Sequence, residues 1–204
     1  MATDNFDNGH KYAHLMRELK MRLRMLETDL SEGPLAATFL NDEVKRLEFV
    51  SLQLRKVLEL LVFASLTAHQ ERLSQVKPDL SVFWRAKTLL AWLEKQNPFF
   101  FPRPINLTRA EGPAIHFDSR VGDDIFTIAE FGALFDACSE VLHIANPFAP
   151  VEPIDFGRTF TEWIARIRAL LDEHMIFLSP GEVFMVNMLD WTIPDVQVFR
   201  AIAE

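Results

Sequence analysis

The sequence predicts an α+β protein that is mainly α, a bundle of about five helices with a C-terminal three-stranded antiparallel β-meander. Three observations predict it. Through most of residues 1–173 apolar side chains recur at spacings of three and four, the period of a helix face. Two Thr-x-x-Glu boxes, at 127–130 and 159–162, carry the N-terminal signature of a helix. After residue 173 the period changes to short runs rich in Val, Ile and Phe, divided by turn residues. A chain of 204 residues buries roughly 70% of its unfolded surface on folding, enough for one domain without staples.

The first helix spans about Asn8 to Leu30, with Tyr12, Leu15, Leu19, Leu23, Leu26 and Leu30 on one stripe, and Gly33-Pro34 breaks it. A second covers about Ala36 to Arg72, kinked near Asn41. From Phe49 onward its apolar residues surround most of the circumference, which marks the central helix of a bundle. A third runs from Leu80 to Gln96. Residues 97–126 hold four prolines and two glycines without periodicity and read as a long irregular loop. The two capping boxes then open helices ending near Ala145 and Glu173. The meander occupies 174–204 and packs on the helices of 1–173, because a sheet that small is stable only with one face covered. Its first turn is Ser179-Pro180-Gly181-Glu182, where Pro fixes φ and Gly accepts φ > 0, as a type II turn requires.

Composition narrows the function classes. One cysteine makes neither an internal disulfide nor a thiolate metal cage, which favours a reducing cytoplasm. The polar, acidic start of the chain has no apolar core of a secretory signal. The most apolar run, 49–69, contains Gln53, Arg55, Lys56 and Glu59, too costly for a bilayer, so no membrane association is expected. A net charge of −8 argues against broad nucleic-acid binding. Eighteen Phe against one Tyr imply a core of rings that need no hydrogen-bond partner. Together with the 12–30 stripe they suggest more apolar surface than one bundle hides, and hence a homodimer through helical faces.

"CSEVLHIANPF" (138–148) gathers Cys138, Ser139 and His143, and Asp136, Ser139 and His143 share a helix face at i, i+3 and i+7. No Gly-x-Ser-x-Gly turn supplies a strained nucleophile, and Cys138 sits about 140° around the helix from His143. The stretch reads as a helix end. "NPFFFPRP" (97–104) and "NPFAPVEP" (146–153) read as one stop device used twice: Asn in the left-handed region, Pro, then a Phe folding back as a plug. Glu48, Arg55 and Glu59 form a polar line on the apolar second helix. Arg55 and Glu59, an i,i+4 pair, read as an internal ion pair or as an anchor for an anionic ligand. His10 and His14 have the i,i+4 spacing of two metal ligands but no His-Glu-x-x-His motif, so no metal and no cofactor is expected. Residues 11–26 carry five basic side chains and one acidic, a face that would suit RNA, lipid headgroups or a partner helix. Packing against the acidic remainder of the chain is the favoured reading. Arg168/His174 and Arg109/His116 have Arg-x5-His and Arg-x6-His spacings.

"LQLRKVLELLVFASLTAH" followed by "LFDACSEVLHIANPF" resembles a pairing in uncharacterised bacterial and phage helical proteins, in which a Leu-Arg-x-x-x-Glu helix precedes one ending Leu-His-x-x-Asn. More distantly, residues 45–175 are similar to the HEPN superfamily (higher eukaryote and prokaryote nucleotide-binding), whose members are helical bundles, often dimeric. Some are metal-independent ribonucleases of toxin and phage-defence systems that use an Arg-x4–6-His motif. Arg55, Glu59, His143 and Asn146 are the candidate binding residues. Under the nuclease reading of the resemblance, Arg168 would hold phosphate and His174 would act as general acid or base. Ala169 follows Arg168 where the family places a polar residue. The preferred expectation is therefore a non-enzymatic binding or regulatory module of a bacterial or mobile-element system, a homodimer with a protein partner rather than RNA.

Overall fold

The computed structural model describes residues 7–32, 42–77, 79–83, 85–109, 115–144, 148 and 153–202. Along the chain lie α1 (Asp7–Glu32), α2 (Glu43–Ala68), α3 (Gln70–Val76), α4 (Ala86–Gln96), β1 (Arg103–Arg109), β2 (Ile115–Ser119), α5 (Ile128–Val141), α6 (Phe160–Leu171), β3 (Glu173–Ser179), β4 (Glu182–Asn187) and β5 (Gln197–Ile202). The class is α+β, mainly α. Both capping boxes form, with Thr127 and Thr159 each accepting from the backbone of the Glu three residues on.

The sheet is larger than the sequence reading has it. Its order is β2-β1-β3-β4-β5, all antiparallel, and β1 and β2 lie inside the supposed loop 97–126. Pro104 hides them. It breaks the sequence pattern, yet β1 pairs with β3 only at Arg103 and Pro104 before continuing with β2, so the missing N–H falls where the ladder changes partner. The sheet thus draws strands from both sides of the expected boundary at 173. The β3–β4 turn is as expected, with Gly181 at φ 80°.

The predicted second helix breaks at His69, where α2 ends and α3 begins. Residues 36–41, with the expected kink at Asn41, lie outside the described residues. The third helix starts at Ala86 rather than Leu80, because Asp79 accepts from the backbone and hydroxyl of Ser81 and holds a turn there. α5 stops at Val141, so His143 lies beyond it.

The principal core joins α1, α2, α4, α5 and α6 to the inner sheet face. Tyr12, Leu19, Leu23, Leu26, Leu54, Leu58, Leu61, Phe131, Ile167, Ile176 and Val186 are all buried in it. The 12–30 stripe is therefore spent inside the chain, and the argument for a dimer through helical faces loses its basis. A smaller cluster of Ile105, Met175 and Met185, flanked by Leu107, Phe177, Val183 and Ala201, lies on the outer sheet face. The register puts Arg103, Phe117 and Phe199 on that face too. Lys20 fastens the β4–β5 connection: its buried ammonium donates to the carbonyls of Met188, Asp190 (2.8 Å) and Asp195 (2.9 Å) around Leu189, which has φ 55°.

Candidate functional site

His174 is 0% exposed. Its Nδ1 lies 2.9 Å from the Leu171 carbonyl, which only accepts, so Nδ1 carries the proton and Nε2 accepts from the Tyr12 hydroxyl at 2.7 Å. Burial pushes this imidazole down to about 4, against a smaller upward pull from the Leu171 carbonyl. It is a neutral core residue, where proton transfer to a substrate needs the mouth of a pocket. Arg168 is turned elsewhere. Its guanidinium pairs with Glu27 at 2.6 Å and stacks on Trp191 at 4.6 Å, whose indole N–H donates to Asp172. It stands in a groove of about 600 Å³ between α1 and α6, with Ile164, Ala165 and Ala169. The structure gives Arg168 and His174 separate partners and does not bring them together as an acid–base pair.

Arg55 and Glu59 do pair, at 3.3 Å, but their side chains are 34% and 35% exposed, so the ion pair is not internal. The guanidinium also lies 5.0 Å from the Phe135 ring. The Arg55 edge of α2 is half-exposed, and Glu48 on the same line is exposed. His143 is exposed, Ser139 donates to the Phe135 carbonyl, and Asp136 pairs with Lys87, so the three form no triad. Asn146 lies outside the described residues. Cys138 is buried, and desolvation pushes its thiol up to about 12. His10 and His14 share an open hollow with Lys11, and no group of three or more metal-ligating side chains occurs among the described residues.

A polar hub gathers at the α2–α3 break. His69 is buried, its Nδ1 2.7 Å from the Ser65 carbonyl and its Nε2 2.9 Å from both the Asn97 amide nitrogen and the Phe177 carbonyl. Asn97 also donates to the Phe177 carbonyl, while its Oδ1 accepts from the Phe99 backbone. Burial lowers the His69 imidazole, opposed by the Ser65 and Phe177 carbonyls and aided by nearby Arg72. In the neutral ring Nδ1–H donates to Ser65 and Nε2 accepts from Asn97. Asn97 stops α4 in an extended conformation rather than a left-handed one. Phe100 is the buried plug, whereas Phe99 stacks in the open against Arg103 at 4.3 Å.

Two hollows flank this hub. One, of about 190 Å³, is lined by Asn8, His69, Glu71, Arg72, Glu182 and Arg200 among others; the second, of about 450 Å³, runs along Asn97, Phe99, Phe177 and Pro180. Arg72 and Ser179 border both. Comparison with family models, curated proteins and solved structures finds no match. The sequence reading misses this site because its members come from five distant segments. Two of them, His69 and Asn97, stood in stretches already explained as helix and helix stop. The available signal was a His and an Asn at helix ends amid apolar residues, where burial demands partners.

Proposed function

We propose that this protein is a non-catalytic binding module of the cytoplasm, working as a homodimer in a bacterial or mobile-element system. The observation that carries the reading is the outer sheet face. Its Phe117 and Phe199 are 44% and 43% exposed around the Ile105–Met175–Met185 cluster, an apolar surface of the kind that marks an interaction site. A second copy is the occupant that fits. Two chains of net charge −8 repel, so they meet best where charge is scarce. On this face Arg103 is stacked between Phe99 and Phe177, and Glu173 accepts from the Leu107 backbone and Asn187. A two-fold axis sets the same patch against itself.

The non-catalytic part rests on the placement of the acid–base candidates, since His174 is walled off by Tyr12 and Leu171. Sedimentation across the micromolar range tests the assembly. Wild type should weigh twice 23.5 kDa, and Phe199→Glu should return the monomer with its helical content intact. A wild-type monomer at tens of micromolar, or metal-independent RNA cleavage abolished by Arg168→Ala, would overturn the reading.

A further inference from the structure

We infer that the start of α1 binds a divalent ion of the zinc, copper or nickel kind through the imidazoles of His10 and His14. The assignment goes beyond the binding-module reading and does not depend on the dimer. Two observations converge. His10 and His14 lie one turn apart on α1, a spacing that sets their Cβ atoms about 5–6 Å from each other on one face. Both are exposed, and both line one open hollow of about 420 Å³ with Lys11, Leu15 and Thr67, so the helix does not splay them toward different neighbours. A zinc–imidazole bond is about 2.0–2.1 Å long, and two rings reaching from consecutive turns of one face meet on a single ion at that length.

The donor set and its surroundings choose the ion. Imidazole nitrogen suits zinc, copper and nickel, whereas magnesium and calcium take oxygen ligands. Lys11 stands between the two histidines and would repel a cation, but Asp7 pairs with its ammonium at 2.5 Å. The net charge of −8 attracts cations to the chain as a whole. The sequence expectation of no metal rests on the missing Glu of a His-Glu-x-x-His motif. That Glu is the general base of hydrolysis and not a ligand, so its absence excludes the reaction and leaves binding untouched. No group of three or more metal-ligating side chains occurs among the described residues, so water fills the remaining positions and the ion exchanges. An ion held across this turn staples the start of α1, where Gly9 faces Phe184 and Val198 of the sheet.

The test is a calorimetric and NMR titration of the full chain with zinc chloride, alongside magnesium and calcium chloride. Zinc should bind once per chain, shift the ring resonances of His10 and His14 but not those of His143, and slow hydrogen exchange across the first two turns of α1. Magnesium and calcium should do none of these. His10→Gln and His14→Gln should each weaken zinc binding at least about tenfold, while His143→Gln binds as wild type does. Both histidines are exposed, so circular dichroism should show the same helical content in either variant. No saturable zinc uptake, an affinity that survives either His10→Gln or His14→Gln, or an equal response to magnesium would overturn the assignment. Phe199→Glu separates it from the dimer: zinc should bind that variant unchanged, and a loss there would overturn a site carried by α1 alone.

Discussion

Acid should destabilise this fold well before its carboxylates titrate, and His174 supplies the largest calculable share. The imidazole titrates near 6.5 when free and at about 4 in the fold, because burial makes it take its proton away from water, against a smaller upward pull from the Leu171 carbonyl. At about 1.4 kcal/mol per pH unit, that shift amounts to about 3 kcal/mol. The sign follows from proton counts. Between 6.5 and 4 the unfolded chain holds a proton that the folded chain does not, so stability is full above pH 6.5 and falls as pH drops toward 4. His69 is lowered too and acts in the same direction. The lowered carboxylates, Glu130 among them, keep their contribution above their ordinary values, 4.5 for Glu130, and lose it as pH falls from there through the depressed ones, so they enter only at the acid end of this window. Urea unfolding at a series of pH values between 7 and 4.5, followed by Trp fluorescence, should show stability falling with a slope of about one proton from His174, steepened by His69. His174→Gln should be less stable at pH 7 but shallower by about one proton, or about 1.4 kcal/mol per pH unit. Stability that stays flat to pH 4.5, or a slope that His174→Gln leaves unchanged, would refute the burial argument.

Other perturbations follow from the same geometry. Arg55→Ala should cost at most about 1 kcal/mol in urea unfolding, because the pair with Glu59 is a third exposed and screened. Lys20→Met should cost about 3 kcal/mol or more, since three carbonyls around Leu189 lose one charged donor, and hydrogen exchange should rise across 188–195. Cys138 should resist a thiol reagent in the native protein and react at the global unfolding rate, its thiol being buried and pushed up to about 12.

The helices were largely readable because their signals are local. The stripe from Tyr12 to Leu30 and the boxes at Thr127 and Thr159 each fit within a few turns, and the structure realises them. β1 and β2 were not, since Ile105-Asn106-Leu107-Thr108 shows its alternation only once the prolines around it are discounted. The His69 ring at the break is held by the amide of Asn97, which also donates to the distant Phe177 carbonyl, and no local pattern announces that. The site fared worst for the same reason. Arg168 and His174 are close in sequence, yet one stacks on Trp191 and the other bonds to Tyr12. Asn8, His69, Arg72 and Arg200 meet only through the packing of α1, α3 and the sheet.

The sheet-to-sheet homodimer is most directly tested by a distance. Because the lone cysteine is buried, Gln197→Cys on the outer face of β5 takes a nitroxide label selectively. Packed sheets lie about 10 Å apart, so labels on two facing copies fall within dipolar range. A resolved, concentration-dependent distance that vanishes with Phe199→Glu is the predicted result. Labelled Gln197→Cys protein giving no dipolar signal at concentrations where it sediments as a dimer would contradict the placement of the interface.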